Sequence, residues 1–232
     1  MPPIVFCERR LMQLLWSITA TVAMLGLVAE LAHYLRPSLQ TVLIPLFSLS
    51  IEGNFPTWYA ASLLLCCGLL LLLIAASVRQ TGAGFARRWQ FLGCVFLFMS
   101  LDEAIEIHEN LGRLFDLAGV LHGVLFFSWV VPASFFVLLM GLLYLPFLLH
   151  LSASTRRRVV LAGSLYVGGA LLLELPLGAW AARHGHDNLT YALIDWVEET
   201  LELLGATLFL LSLVRYLRET FGPLQLSQAD AA

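Results

Sequence analysis

Apolar residues fall into six long runs, at about 11–35, 57–78, 89–110, 123–149, 159–182 and 193–217. Each reaches the ~20 residues that a helix rising 1.5 Å per residue needs to cross a bilayer. The gaps between them are short and polar. Residues 36–56 contain Pro37, Pro45, Pro56 and Glu52-Gly53-Asn54, which argues against a further full span. The apolar stretch 41–49 is short, and is expected to lie in the interface or re-enter it. Trp58, Trp129, Trp180 and Trp196 read as interfacial belt residues. The first run follows Arg9 and Arg10 and also fits a secretory signal, but it is long and ends in Glu30, His33 and Tyr34. It is taken as a retained helix.

Composition agrees with this pattern. The chain of 232 residues is 59% hydrophobic and 12% charged, with a mean hydropathy of +0.84. A soluble domain carries about 25% charged residues, so the expectation is an all-α polytopic membrane helix bundle forming one domain. Basic residues set its orientation. Arg9, Arg10, Arg79, Arg87, Arg88, Arg156, Arg157, Arg158, Arg215 and Arg218 share one side, and Arg36, Arg113 and Arg183 the other. The arginine-rich side is cytoplasmic by the positive-inside rule, which puts both termini inside a cell (inner) membrane. Residues 219–232 are expected to form a disordered tail. No basic tract, phosphate loop or low-complexity segment points to nucleic acid or nucleotides. Cys7, Cys66, Cys67 and Cys94 read as small packing residues rather than disulfide or redox partners.

The chemistry lies in acids that interrupt the apolar runs. An ionisable residue at membrane depth costs at least ~2.5 kcal/mol on insertion scales, and is a functional-site hypothesis by default. In the third run, helical spacing of 100° per residue puts Asp102, Glu106, Glu109, Asn110 and Arg113 on one stripe, with Glu103 at its edge and His108 on the far side. In the sixth run, Asp195, Glu198, Glu199 and Glu202 form a second stripe. Glu30 and Glu174 add acids from the first and fifth runs. The four acidic helices therefore converge at the outer, periplasmic end, while the second and fourth helices are expected to form a lipid-facing wall.

So many carboxylates cannot all stay ionised side by side in a low dielectric. Bound metal or shared protons must neutralise them. Glu30-Leu-Ala-His33, Glu106-Ile-His-Glu109 and Glu199-Thr-Leu-Glu202 have the i, i+3 spacing by which helices grip ions, and partly match the carboxylate-bridged di-metal bundles. The expected metal ligands are Glu106, Glu109, Glu199, Glu202, Glu174, Glu30, His33 and Asp102. The expected supporting or alternative groups are Glu103, Asn110, Arg113, Asp195, Glu198, His184 and His186. Oxygen-rich donors suit a divalent metal, with Fe, Mn, Mg, Ca and Zn undistinguished. Asp195 and Glu198 also have a plainer reading as acids near a helix N-terminus.

The segments Glu52-Gly-Asn-Phe-Pro-Thr-Trp58, Ser100-Leu-Asp-Glu to His108-Glu109, and Val197-Glu-Glu-Thr-Leu-Glu-Leu-Leu-Gly205 resemble signatures of an uncharacterised family of bacterial multi-pass membrane proteins. That resemblance implies topology and no activity. Three functions stay open: a metal-dependent membrane enzyme acting on a lipid or small apolar substrate, a divalent-cation or proton-coupled transporter, and a non-catalytic subunit or chaperone with a protein partner. A homo-oligomer is also compatible. The inner halves of the acidic helices hold no ionisable residue, only Ser17, Thr19, Thr21, Cys94, Ser164, Tyr166, Thr207 and Ser212. A cation path needs polar stations along its length, which favours an outward-facing site over a channel.

Overall fold

The computed structural model describes residues 8–35, 37–82, 84–108, 110 and 123–222. Helices dominate these residues, and none of them is in a strand. They form α1 (Glu8–Leu35), α2 (Pro37–Phe47), α3 (Phe55–Gln80), α4 (Ala86–Ile105) and α5 (Val130–His150). Next, α6 (Ala153–Val167) runs through a π-helical turn (Gly168–Leu173) into α7 (Glu174–His184), and α8 (Leu189–Phe221) follows. Residues 1–7, 111–122 and 223–232 lie outside the described residues, and with them Cys7, the outer segment after the third run and most of the expected tail.

Five helical stretches are long and apolar enough to cross a membrane: α1, α3, α5, the continuous α6–α7 unit and α8. The third apolar run is not among them. It forms α4, whose 20 residues carry Arg87 and Arg88 at one end and Asp102 and Glu103 at the other. It nonetheless pairs closely with α3. Gly68 and Gly93 make that approach possible: a methyl at Gly68 would sit 2.8 Å from Leu97 Cδ2, and one at Gly93 would sit 3.2 Å from the Gly68 carbonyl oxygen.

The expected lipid wall is half right. In their most apolar windows α8 is 56% buried and α3 44%, against 11% for α5. Thus α3, the second run, is a central helix, and α5 is the outermost. The second helix lacks acids because it is the apolar wall of the core: Leu63, Leu64, Cys67, Leu71 and Ile74 are all nearly inaccessible. Facing it, α8 contributes Leu203, Ala206, Leu210 and Leu213.

The short apolar stretch forms most of α2, with Val42 and Leu46 exposed and Ser48 and Leu49 at its end buried. Helix α2 packs against α1, and Leu49 after it lies so close to α1 that a methyl at Gly26 would approach Leu49 Cγ to 2.7 Å. Asn54 fixes the loop that follows. Its side chain caps α3 by accepting from Thr57 N at 3.2 Å, and it donates to the carbonyls of Ser48 at 2.6 Å and Ile51 at 2.7 Å. Ser48 reaches Glu30, which is five residues, or about 7 Å of helix rise, before the end of α1. Ser48 and Leu49 are therefore buried against the helices at the end opposite the arginines, while Ser50, Ile51 and Gly53 beyond them are exposed. At the arginine-rich end, Arg218–Glu8 at 2.7 Å and Arg158–Glu219 at 3.2 Å tie α8 to α1 and α6, and Arg215–Glu219 at 2.7 Å pairs within α8.

Candidate functional site

The acids of α4 depart first from the expected stripe. The helix ends at Ile105, and Glu106 takes a left-handed conformation (φ 58°, ψ 44°), its N–H donating to the Asp102 carbonyl at 2.8 Å. A non-glycine residue in this region is uncommon and costs energy. The 100° spacing stops there, so Glu106 does not continue the line from Asp102. Instead Asn110 Nδ2 donates to the Glu106 carbonyl at 2.7 Å. His108 is swung back rather than pointing away. Its N–H donates to Asp102 Oδ1 at 2.7 Å, its Nδ1 lies 3.1 Å from Asp102 Oδ2, and its ring packs on Trp129 at 4.9 Å. Asp102 is thus engaged in capping this turn. Glu109 and Arg113 lie outside the described residues.

The π-helical turn sets the next acid. It shifts the helix register by one residue just before Glu174, and such turns often mark functional sites. Within it Gly169 allows close approach to α8, since a methyl there would meet the Glu198 carbonyl oxygen at 2.7 Å. Glu174 accepts from Trp129 Nε1 at 3.1 Å. The second oxygen of Glu198, Oε2, is buried with no hydrogen-bond partner among the described residues.

On α8, Asp195, Glu198, Glu199 and Glu202 do share a face, as helical spacing predicts. Asp195 accepts from the Ser50 hydroxyl, as Glu30 does from Ser48, so the inserted loop holds one acid of α1 and one of α8. The Trp196 indole donates to the Ala23 carbonyl at 2.8 Å and fixes α8 against α1. Below this row lies a cavity of about 10 Å³, lined by Glu103, Tyr166, Glu199 and Glu202 with Ala60, Leu64, Leu203 and Ala206. That is about the room one water needs. The cavity thus brings Glu103 of α4 together with Glu199 and Glu202 of α8, while the loop after α2 links Glu30 of α1 to Asp195 of α8 through Ser48 and Ser50.

Several expected members stand apart. His33 Nε2 lies 3.3 Å from Asp187 Oδ1 at the rim, so Glu30-x-x-His33 is divided between two different partners. His184 stacks on Trp180 at 4.1 Å, and His186 packs edge-on to Tyr191 at 5.0 Å. Among the described residues, no three His, Cys, Asp or Glu side chains are grouped as a metal site requires. Of the spaced pairs, Glu30 takes Ser48 while His33 takes Asp187, and Glu199 and Glu202 line the cavity.

Other participants escaped the sequence reading. Tyr166, which hydropathy puts in the inner half of its helix, lines the cavity. Trp129, which reads as a belt residue in the sequence, donates its N–H to Glu174. Ser48 and Ser50 carried no signal beyond their place in a proline-bounded loop. Glu103, expected only in a supporting role, is a lining residue.

Residues 14–217 match the family model described as a domain of unknown function, DUF8692. The chain belongs to that family. No curated protein and no solved structure matches it.

Proposed function

We propose that this member of the DUF8692 family is a proton-handling membrane protein, in its simplest form a proton-coupled carrier. Its carboxyl network is the site that loads and releases protons. The observation that carries this reading is the cavity: three carboxyls, Glu103, Glu199 and Glu202, and the Tyr166 phenol surround space for a single water. Carboxyls this close in a low dielectric are stable only with their charge neutralised. Ser48 on Glu30, Ser50 on Asp195 and the Trp129 indole on Glu174 hold the surrounding acids in place. In this reading α4 is the sixth span, the termini face the cytoplasm of a bacterial cell, and the acid end opens outward. The distribution of arginines supports that orientation.

The test is proton flux into vesicles carrying the purified protein and a trapped pH indicator, driven by a potassium diffusion potential. Glu199→Gln and Glu202→Gln keep shape and hydrogen-bonding capacity but cannot exchange a proton. Flux in the wild type that these substitutions abolish supports the reading. No flux above empty vesicles, under a gradient of either sign, overturns it.

A resident divalent cation is the second reading: Glu103, Glu199 and Glu202 line one small cavity, and an ion would have to draw them closer together than they stand. Oxygen donors of this kind suit Mg²⁺, Mn²⁺ or Ca²⁺, and such an ion could support catalysis at the outer face. Elemental analysis separates the two. A stoichiometric metal lost in the Glu103→Gln/Glu202→Gln variant would establish the cation, and metal-free protein that still moves protons would remove it.

A further inference from the structure

Between the acid cavity and the arginine-rich end, three hydroxyl groups from three helices meet in the interior. Thr19 Oγ1 of α1 lies 2.8 Å from the Tyr59 hydroxyl of α3 and 2.7 Å from Thr207 Oγ1 of α8. Thr19 and Thr207 are wholly buried, and Tyr59 is nearly so. The Tyr59 hydroxyl also reaches the Leu15 carbonyl at 3.4 Å, one turn further toward the arginine-rich end. We propose that this triad is a second proton station, which carries protons between the acid cavity and the opposite side of the membrane. The proposal rests on the reading of the acid cavity as a proton site.

Three features support it. A hydroxyl both donates and accepts, so each member can take a proton on its oxygen while passing its own to the next, and only O–H bonds are made and broken. The triad is aligned with the cavity: Glu199, Leu203 and Thr207 recur at i, i+4 and i+8 on one face of α8, so Thr207 lies about 12 Å along the axis from Glu199. The cavity residues Ala60 and Ala206 are the chain neighbours of Tyr59 and Thr207. On α8, Leu203, almost fully buried, stands between Glu199 and Thr207. It forms an apolar barrier that water must bridge for protons to pass. The triad thus supplies a polar station away from the carboxyl groups of the acid end. Hydrogen bonds between membrane helices also serve as packing contacts, so the test must separate conduction from stability.

The experiment uses the full chain in the same vesicle assay. Tyr59→Phe and Thr207→Val are expected to lower proton flux about tenfold, equivalent to a barrier higher by about 1.4 kcal/mol. Thr207→Ser, which keeps the hydroxyl, is expected to restore it. Leu203→Ala, which thins the barrier, is expected to raise flux. Thermal midpoints are measured on each variant, and a loss of flux counts only where the midpoint matches that of Thr207→Ser. If Glu199→Gln abolishes flux while well-folded Tyr59→Phe and Thr207→Val conduct like wild type, the triad is a packing contact and this inference fails alone. If the wild type carries no protons, the reading of the acid cavity fails first.

Discussion

Gly205 is where the geometry makes its most specific demand. A methyl there would lie 2.6 Å from the Tyr166 backbone nitrogen, 2.9 Å from the Ala162 carbonyl oxygen and 2.9 Å from Tyr166 Cβ. None of these atoms can rotate away, so α6 and α8 would have to separate. Overpacking of this kind costs typically ~1–3 kcal/mol, and rigid backbone on the other side puts Gly205→Ala near the upper end. Alanine recovers about 1 kcal/mol of helix propensity, leaving a net loss of about 2 kcal/mol. At roughly 2–4 °C per kcal/mol for a chain of this size, Tm should fall by about 4–8 °C. Gly163, also on α6, provides the control: a methyl there meets nothing within 4 Å. Gly163→Ala should keep only the propensity gain and leave Tm equal or higher. Thermal and SDS unfolding of both variants in micelles would decide. Equal stability for the two would refute the close α6–α8 contact, and with it the placing of Tyr166 on the cavity.

Two further substitutions test how the acids are held. Asn54→Ala removes the α3 cap and the donors to Ser48 and Ile51. It should cost about 1–2 kcal/mol and speed amide exchange across residues 48–54, while exchange in α5 stays unchanged. Trp129→Phe keeps a ring beside His108 but takes the N–H from Glu174, a loss of about 1–3 kcal/mol. In a double-mutant cycle with Glu174→Leu, which offers no acceptor, stability should show clear coupling, and additive effects would refute the pairing.

The helices were legible because membrane insertion demands long apolar runs whatever the tertiary packing. Which helix is central was not: α3 and α5 read alike in hydropathy, and only close contacts such as Gly68 on Leu97 bury the former. The acid face of α8 followed from spacing because that helix is unbroken through all four residues. The face of α4 did not, because Glu106 leaves the helical conformation and no proline or glycine announces it. Pair spacing also pointed to a metal where the folded chain supplies other partners. Glu30 and His33 are one turn apart, yet Ser48 comes from the inserted loop and Asp187 from the α7–α8 turn. Contacts between distant segments decide which of two donors a carboxyl takes, and no periodicity records them.

Neutral carboxyls in the interior are the premise of proton handling, and infrared spectroscopy of the protein in lipid reads them directly. At neutral pH the spectrum should contain the carbonyl band of protonated carboxyl groups, shielded from deuterium exchange and reduced in the Glu199→Gln/Glu202→Gln variant. A spectrum with ionised carboxylates alone, or a protonated band that the double substitution leaves untouched, would contradict it.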